Sequence, residues 1–86
     1  MEKSLLDILL DEREAVKSVN KIQYDIEYKR EYYSYISNMF PDCVAKEEDL
    51  DRITEEIAKL QDDKIEAEEN LADIRRRLAG YLNYLL

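Results

Sequence analysis

Apolar side chains recur along most of this chain in alternating steps of three and four residues, the spacing that keeps one side of an α-helix apolar. The first series consists of Leu5, Ile8, Glu12, Ala15, Val19, Ile22, Ile26, Lys29, Tyr33, Ile36 and Phe40. The second consists of Leu50, Ile53, Ile57, Leu60, Lys64, Ala67, Leu71, Ile74, Leu78, Tyr81 and Leu85. Only Glu12, Lys29 and Lys64 interrupt them with a charge. This heptad rhythm predicts two long helices, each with an apolar seam.

A single break separates the two series. Pro41 has no backbone N–H and disfavours a helical conformation at the residue before it, Phe40. We therefore expect helix 1 over about residues 4–38, a turn over about residues 39–45 and helix 2 over about residues 46–84. The side chains that favour the two helix starts are Ser4 with Asp7, and Asp42 with Glu47, Glu48 and Asp49.

A connector this short leaves two long helices little choice but to pack side by side in opposite directions. The predicted fold class is all-α, an antiparallel two-helix coiled-coil hairpin that forms one domain over residues 1–86. Folding back at this turn would bring the charged seam residues to specific positions on the other helix. The expected neighbours are Arg75 or Arg76 for Glu12, Glu56 and Lys59 for Lys29, and Tyr24 and Asp25 for Lys64. We expect such pairs to fix the register of the hairpin.

Five of the seven tyrosines fall between residues 24 and 35, and only Tyr33 belongs to the seam. The other four lie within about 80° of one another on a different side of helix 1, and two leucines upstream share that side. We call this set the tyrosine face: Leu6, Leu10, Tyr24, Tyr28, Tyr32 and Tyr35.

Contiguous exposed apolar surface usually marks an interface. The interpretation favoured here is that a second copy packs on the tyrosine face, which gives a homodimeric four-helix bundle that serves as a protein–protein interaction or assembly module. Binding of a different protein and a merely exposed set of side chains remain alternatives. A further alternative is the dimerisation half of a regulator whose DNA-reading part lies elsewhere.

The net charge of −8 is concentrated in the middle of the chain, since residues 42–69 carry 12 acidic and 4 basic side chains. An acidic surface repels phosphates, so direct nucleic-acid binding is not expected. It suggests another function, a small acidic inhibitor or nucleic-acid mimic that occupies the basic groove of a partner protein. The residues that would form that acidic surface are Glu55, Glu56, Asp62 and Asp63.

The chemistry of the side chains argues against catalysis. The chain has no histidine and a single cysteine, Cys43, so the usual zinc ligand sets and histidine bases are missing. No phosphate-binding or dinucleotide-binding motif occurs. We expect no catalytic residue, no metal and no cofactor. No apolar run approaches a membrane span and the start lacks the pattern of a signal peptide, so a cytoplasmic location and no membrane partner are expected.

Overall fold

The computed structural model describes residues 3–85 and consists of two helices, α1 (Leu5–Met39) and α2 (Val44–Leu85). The helices pack against each other to form a rod with dimensions of 63 × 18 × 16 Å. Contacts from the first turns of α1 reach the last turns of α2, and contacts from the end of α1 reach the start of α2. The two helices are therefore antiparallel, and the predicted all-α hairpin is confirmed.

Local hydrogen bonds define both ends of α1. Ser4 precedes the helix, and its Oγ accepts a hydrogen bond of 3.2 Å from the backbone N–H of Asp7. This bond satisfies one of the N–H groups that a helix start leaves without a partner. At the other end Phe40 is extended, with φ of −108° and ψ of 144°, although its N–H still donates to the carbonyl of Ile36. Pro41 explains that extended conformation, because a proline disfavours helical backbone in the residue before it.

At the start of α2, Asp42 has a different role from the one expected. Because the helix begins at Val44, Cys43 holds the capping position, and its carbonyl accepts a hydrogen bond of 3.1 Å from the N–H of Glu47. Asp42 lies one residue further out, and its Oδ1 accepts instead from Lys46 Nζ at 2.9 Å. The carboxylate that was expected to favour the start of α2 thus binds a lysine of the first turn of that helix.

Lys46 ties the two helices together at the turn. Its Nζ donates to the carbonyl oxygens of Ser37 and Phe40, each at 2.9 Å, and its side chain is only 9% exposed. Ser37 belongs to the last turn of α1, where carbonyls have no partner within the helix. A cation there is also favoured by the helix dipole. One side chain of α2 therefore completes the end of α1.

We expect Lys46→Met to lower the free energy of unfolding by about 1.5–3 kcal/mol, because hydrogen bonds made by a charged group contribute about that much. Urea denaturation followed by far-UV circular dichroism measures the change. Lys59→Met is a matched control on the exposed side of the same helix, and we expect it to shift stability by less than about 0.5 kcal/mol. Equal stability of the two variants would contradict the clamping role of Lys46.

The core consists of side chains from the two predicted seams. The buried ones are Ile8, Ala15, Ile26, Ile36, Ile53 and Ile74, of which Ile26 and Ile53 are fully buried. Among described seam positions, only Tyr33 and Phe40 are classed as exposed, at 37% and 51%. Near the chain ends, the cluster of Ile8, Ala15 and Ile74 is flanked by Leu71, Leu78 and Tyr81. That cluster closes the open end of the hairpin, as the apolar residues at both ends of the sequence suggest.

Two of the three charged seam residues pair across the hairpin as expected. Glu12 Oε2 lies 3.8 Å from Arg75 Nε. Lys29 Nζ donates to Glu56 Oε2 at 2.6 Å. Lys64 differs, since its Nζ lies 3.6 Å from Glu68 Oε1 on its own helix rather than pairing with α1. The first two pairs hold the register, because sliding one helix by a turn would separate both.

The pair of Lys29 and Glu56 also predicts a pH dependence. The hydrogen bond from Lys29 lowers the pKa of the Glu56 carboxyl, and the positive charges of Lys29 and Arg52 act in the same direction against partial burial. A lowered pKa in the folded state means that the carboxylate stabilises the hairpin at pH above the ordinary value for glutamate. This contribution is lost as the pH falls through the lowered value.

We therefore expect Glu56→Gln to reduce the loss of stability between about pH 7 and about pH 3, relative to the unchanged chain. Urea denaturation at both pH values measures this difference. Glu55→Gln is the matched control, because Glu55 is an exposed neighbour that forms no ion pair within residues 3–85. If Glu56→Gln and the unchanged chain lose the same free energy of unfolding on acidification, the Glu56 carboxylate does not contribute to the pH dependence.

Candidate protein-interaction surface

The tyrosine face lies on the side of α1 that α2 leaves uncovered. All six of its side chains are exposed, by 65% for Leu6, 50% for Leu10, 67% for Tyr24, 61% for Tyr28, 45% for Tyr32 and 54% for Tyr35. Steps of four residues separate Leu6 from Leu10 and successive tyrosines from Tyr24 to Tyr32, and such steps keep side chains on one side of a helix. The hairpin therefore buries one side of α1 and exposes a second apolar side.

This surface is large for so small a chain. A whole tyrosine presents about 200 Å², so the exposed fractions of the four tyrosines amount to roughly 450 Å². That area lies within the range of about 300–600 Å² found for the largest apolar patch of an ordinary monomer, a patch that is often functional, and Leu6 and Leu10 form a second, separate area. The size of the face is thus typical of an interface.

Two lysines separate the leucine part of the tyrosine face from its aromatic part. Lys17 Nζ lies 3.4 Å from Glu14 Oε1, one turn earlier in the helix. Lys21 is exposed and forms no ion pair within residues 3–85. The aliphatic part of a lysine side chain can cover apolar neighbours while its ammonium group stays in water. The face is therefore amphipathic, with apolar ends and a basic centre.

At the turn, the tyrosine face continues onto Phe40. The ring of Tyr35 packs edge to face against the ring of Phe40, with centroids 6.0 Å apart and an interplanar angle of 79°. Tyr32, Phe40, Cys43 and Lys46 line an open depression of about 250 Å³ next to this pair. Lys46 also donates a hydrogen bond to the carbonyl of Phe40, so it helps to hold the residue on which Tyr35 packs.

The acidic surface on α2 is only partly free. Glu55, Asp62 and Asp63 are exposed and form no ion pair within the described residues. Glu56 is half-buried, binds Lys29 across the hairpin and lies 3.9 Å from Arg52 on its own helix. Of the four residues considered for an acidic mimic, three are available to a partner and one serves the hairpin itself.

The run of three arginines is largely used within the hairpin. Arg75 pairs with Glu12 of α1, and Arg76 forms an ion pair with Asp73 one turn earlier. Arg77 lines a groove between the helices together with Asp11 and other residues. These carboxylates neutralise much of the run, which agrees with a structural role for the arginines near the end of α2.

Neither described helix has a stretch long and apolar enough to cross a bilayer. Within residues 3–85, no three acidic or cysteine side chains converge in a way that would hold a metal ion. No family model, curated protein or solved structure matches this chain.

The structure adds two residues to the tyrosine face that sequence reasoning missed. Met39 is 66% exposed and follows Tyr35 by four residues, so the same spacing rule identifies it. Phe40 fits the seam by its spacing, yet Pro41 pulls it out of the helix and it packs on Tyr35 instead. Only the first of these residues had a signal in the sequence.

Proposed function

We propose that this chain is a non-enzymatic protein–protein interaction module, a helical adaptor that assembles as a homodimer through the tyrosine face. The observation that carries the proposal is the exposure of six large side chains on the uncovered side of α1. Exposed tyrosines offer large, rigid contact area at low entropic cost, and this residue type is enriched among those that dominate binding energy.

A second copy is the favoured occupant because the hairpin alone has a thin core. Six hydrophobic side chains are buried among residues 3–85, and small chains bury a low fraction of their surface. Pairing two hairpins through the tyrosine face would create a four-helix assembly with a larger core and with tyrosine hydroxyls at its rim. The acidic outer side of α2 disfavours pairing through that helix, because like charges repel.

Sedimentation equilibrium at micromolar concentration tests the proposal directly. We expect a mass of twice the 10.3 kDa of one chain, since buried aromatic side chains should stabilise the pair. A mass of 10.3 kDa at all concentrations would refute self-association.

A second candidate function is an acidic inhibitor or mimic that occupies a basic groove, and the exposure of Glu55, Asp62 and Asp63 favours it. Replacing these three residues with lysine separates the candidates, because a mimic should then lose binding to a basic partner. The assembly module should keep its dimer mass, because the substitutions lie on α2. Glu56 is left unchanged, since its replacement would also remove the partner of Lys29. Loss of the dimer mass would place the acidic surface in the interface.

A further inference from the structure

The order of side chains along the tyrosine face indicates the relative direction and the register in which two copies would pack. We infer, on the premise that the proposed homodimer forms, that the two α1 helices pair antiparallel about a twofold axis that crosses the tyrosine face at the level of residues 22 and 23. Ile22 is the midpoint of α1, which spans Leu5–Met39. This arrangement overlaps the full length of α1 with the same helix of the second copy.

The charges on the face favour this direction over the parallel one. The first half of the face has Lys17 and Lys21 exposed, whereas the second half is aromatic. In a parallel pair Lys17 would face Lys17 of the second copy, and like charges would repel. In the antiparallel pair Lys17 lies opposite Tyr28 of the second copy, about 16 Å along the helix from the second copy's Lys17. Lys21 lies opposite Tyr24 of the second copy, but it stays within about one turn of the second copy's Lys21 in either direction and does not distinguish the two. An ammonium group over an aromatic ring is attracted by the ring.

The apolar ends of the face match in the same register. Leu10 lies opposite Tyr35 of the second copy, and Leu6 lies opposite Met39 of the second copy. All four of these side chains are exposed in the single hairpin, by half or more of their surface. Covering both faces would bury on the order of 1,200 Å² in total, which reaches the range of specific interfaces. Among antiparallel registers, shifting the axis along α1 moves one end of the face past the end of the other helix.

The inferred dimer is bipolar. The two turns, each with the Tyr35 and Phe40 contact beside it, lie at opposite ends of the paired rods. The distance between the two turns follows from the number of helical residues between each turn and the axis. At 1.5 Å per residue, the two copies of Cys43 are separated by roughly 60 Å. An adaptor with this shape presents identical ends to partners on both sides.

Cys43 makes this inference measurable without any substitution. It is exposed and is the single cysteine of the chain, so a nitroxide label attaches there alone. Pulsed electron paramagnetic resonance then measures the distance between labels in the assembled sample. We expect roughly 60 Å for the antiparallel pair, whereas a parallel pair would bring both turns together at less than about 30 Å.

A second labelling site at the centre provides the positive control. In the variant Cys43→Ser with Asn20→Cys, the label lies close to the axis, and we expect a distance below about 25 Å. Sedimentation of the same labelled samples separates the two hypotheses. A monomer mass would overturn the proposed homodimer and the register together. A dimer mass with a Cys43 distance below about 45 Å would overturn the antiparallel register and leave self-association standing.

Discussion

Ile53→Ala will lower the free energy of unfolding by about 2–5 kcal/mol, since it replaces a fully buried isoleucine on the seam between the two helices. Ile53 is 2% exposed and lies on the seam of α2. Domains of ordinary size are stable by about 5–15 kcal/mol, so a loss of this size would unfold a considerable fraction of so thin a structure. The loss has two parts, the burial of the removed atoms and the cavity that remains.

Ile65→Ala is the matched control for this prediction. It makes the same chemical change on the same helix, but Ile65 is 56% exposed and lies off the seam. We expect the free energy of unfolding to change by less than about 0.5 kcal/mol, because the higher helix propensity of alanine partly offsets the loss of the isoleucine side chain. Urea denaturation at one fixed chain concentration compares the two variants, because self-association would make stability depend on concentration. Similar losses in both variants would show that the seam does not carry the stability of the hairpin.

The architecture could be predicted because it depends on periodicity, which a sequence displays directly. Heptad spacing identified the buried side of each helix, including the six side chains buried among residues 3–85, and Pro41 located the break between the helices. The pair of Glu12 and Arg75 followed from folding the chain back at that break. Both features follow from the spacing of residues along the chain and the position of one turn, so the sequence was enough to predict them.

The details of the turn could not be predicted in the same way. The bonds of Lys46 to Ser37 and Phe40 depend on how closely the end of α1 approaches the first turn of α2. That approach is set by the backbone angles of a few residues, for which the sequence gives only general preferences. Lys64 differs for a related reason, because a flexible side chain can find a carboxylate on its own helix as readily as across the seam.

The tyrosine face was visible in the sequence as a position on a helix, whereas its occupant was not. Exposure of Tyr24 and Tyr28 follows from their distance from the seam. Whether a second copy covers them depends on the free energy of association, which combines buried area with the entropy lost on binding. The position of an exposed face thus follows from the geometry of one chain. Whether the face is covered depends on the affinity between two chains.

Replacing Tyr24, Tyr28 and Tyr35 with serine will weaken self-association at least about 100-fold, equivalent to about 2.7 kcal/mol. Each dimer would lose six exposed aromatic rings, and single aromatic residues at the centre of an interface can contribute about 2 kcal/mol or more. The variant should therefore sediment as a monomer at micromolar concentration. It should also lose any dependence of its melting temperature on chain concentration, because mass action no longer stabilises the folded state.

Tyr84→Ser is the matched control, since Tyr84 is 89% exposed on α2 and lies outside the tyrosine face. It should keep the dimer mass and the concentration dependence of the unchanged chain. Tyr35 also packs on Phe40 within one hairpin, so a variant with only Tyr24 and Tyr28 replaced separates association from local packing. Far-UV circular dichroism should show full helix content in both tyrosine variants. Helical variants that remain dimeric would exclude the tyrosine face as the contact between copies, whereas helical monomers would show that the six rings hold the dimer together.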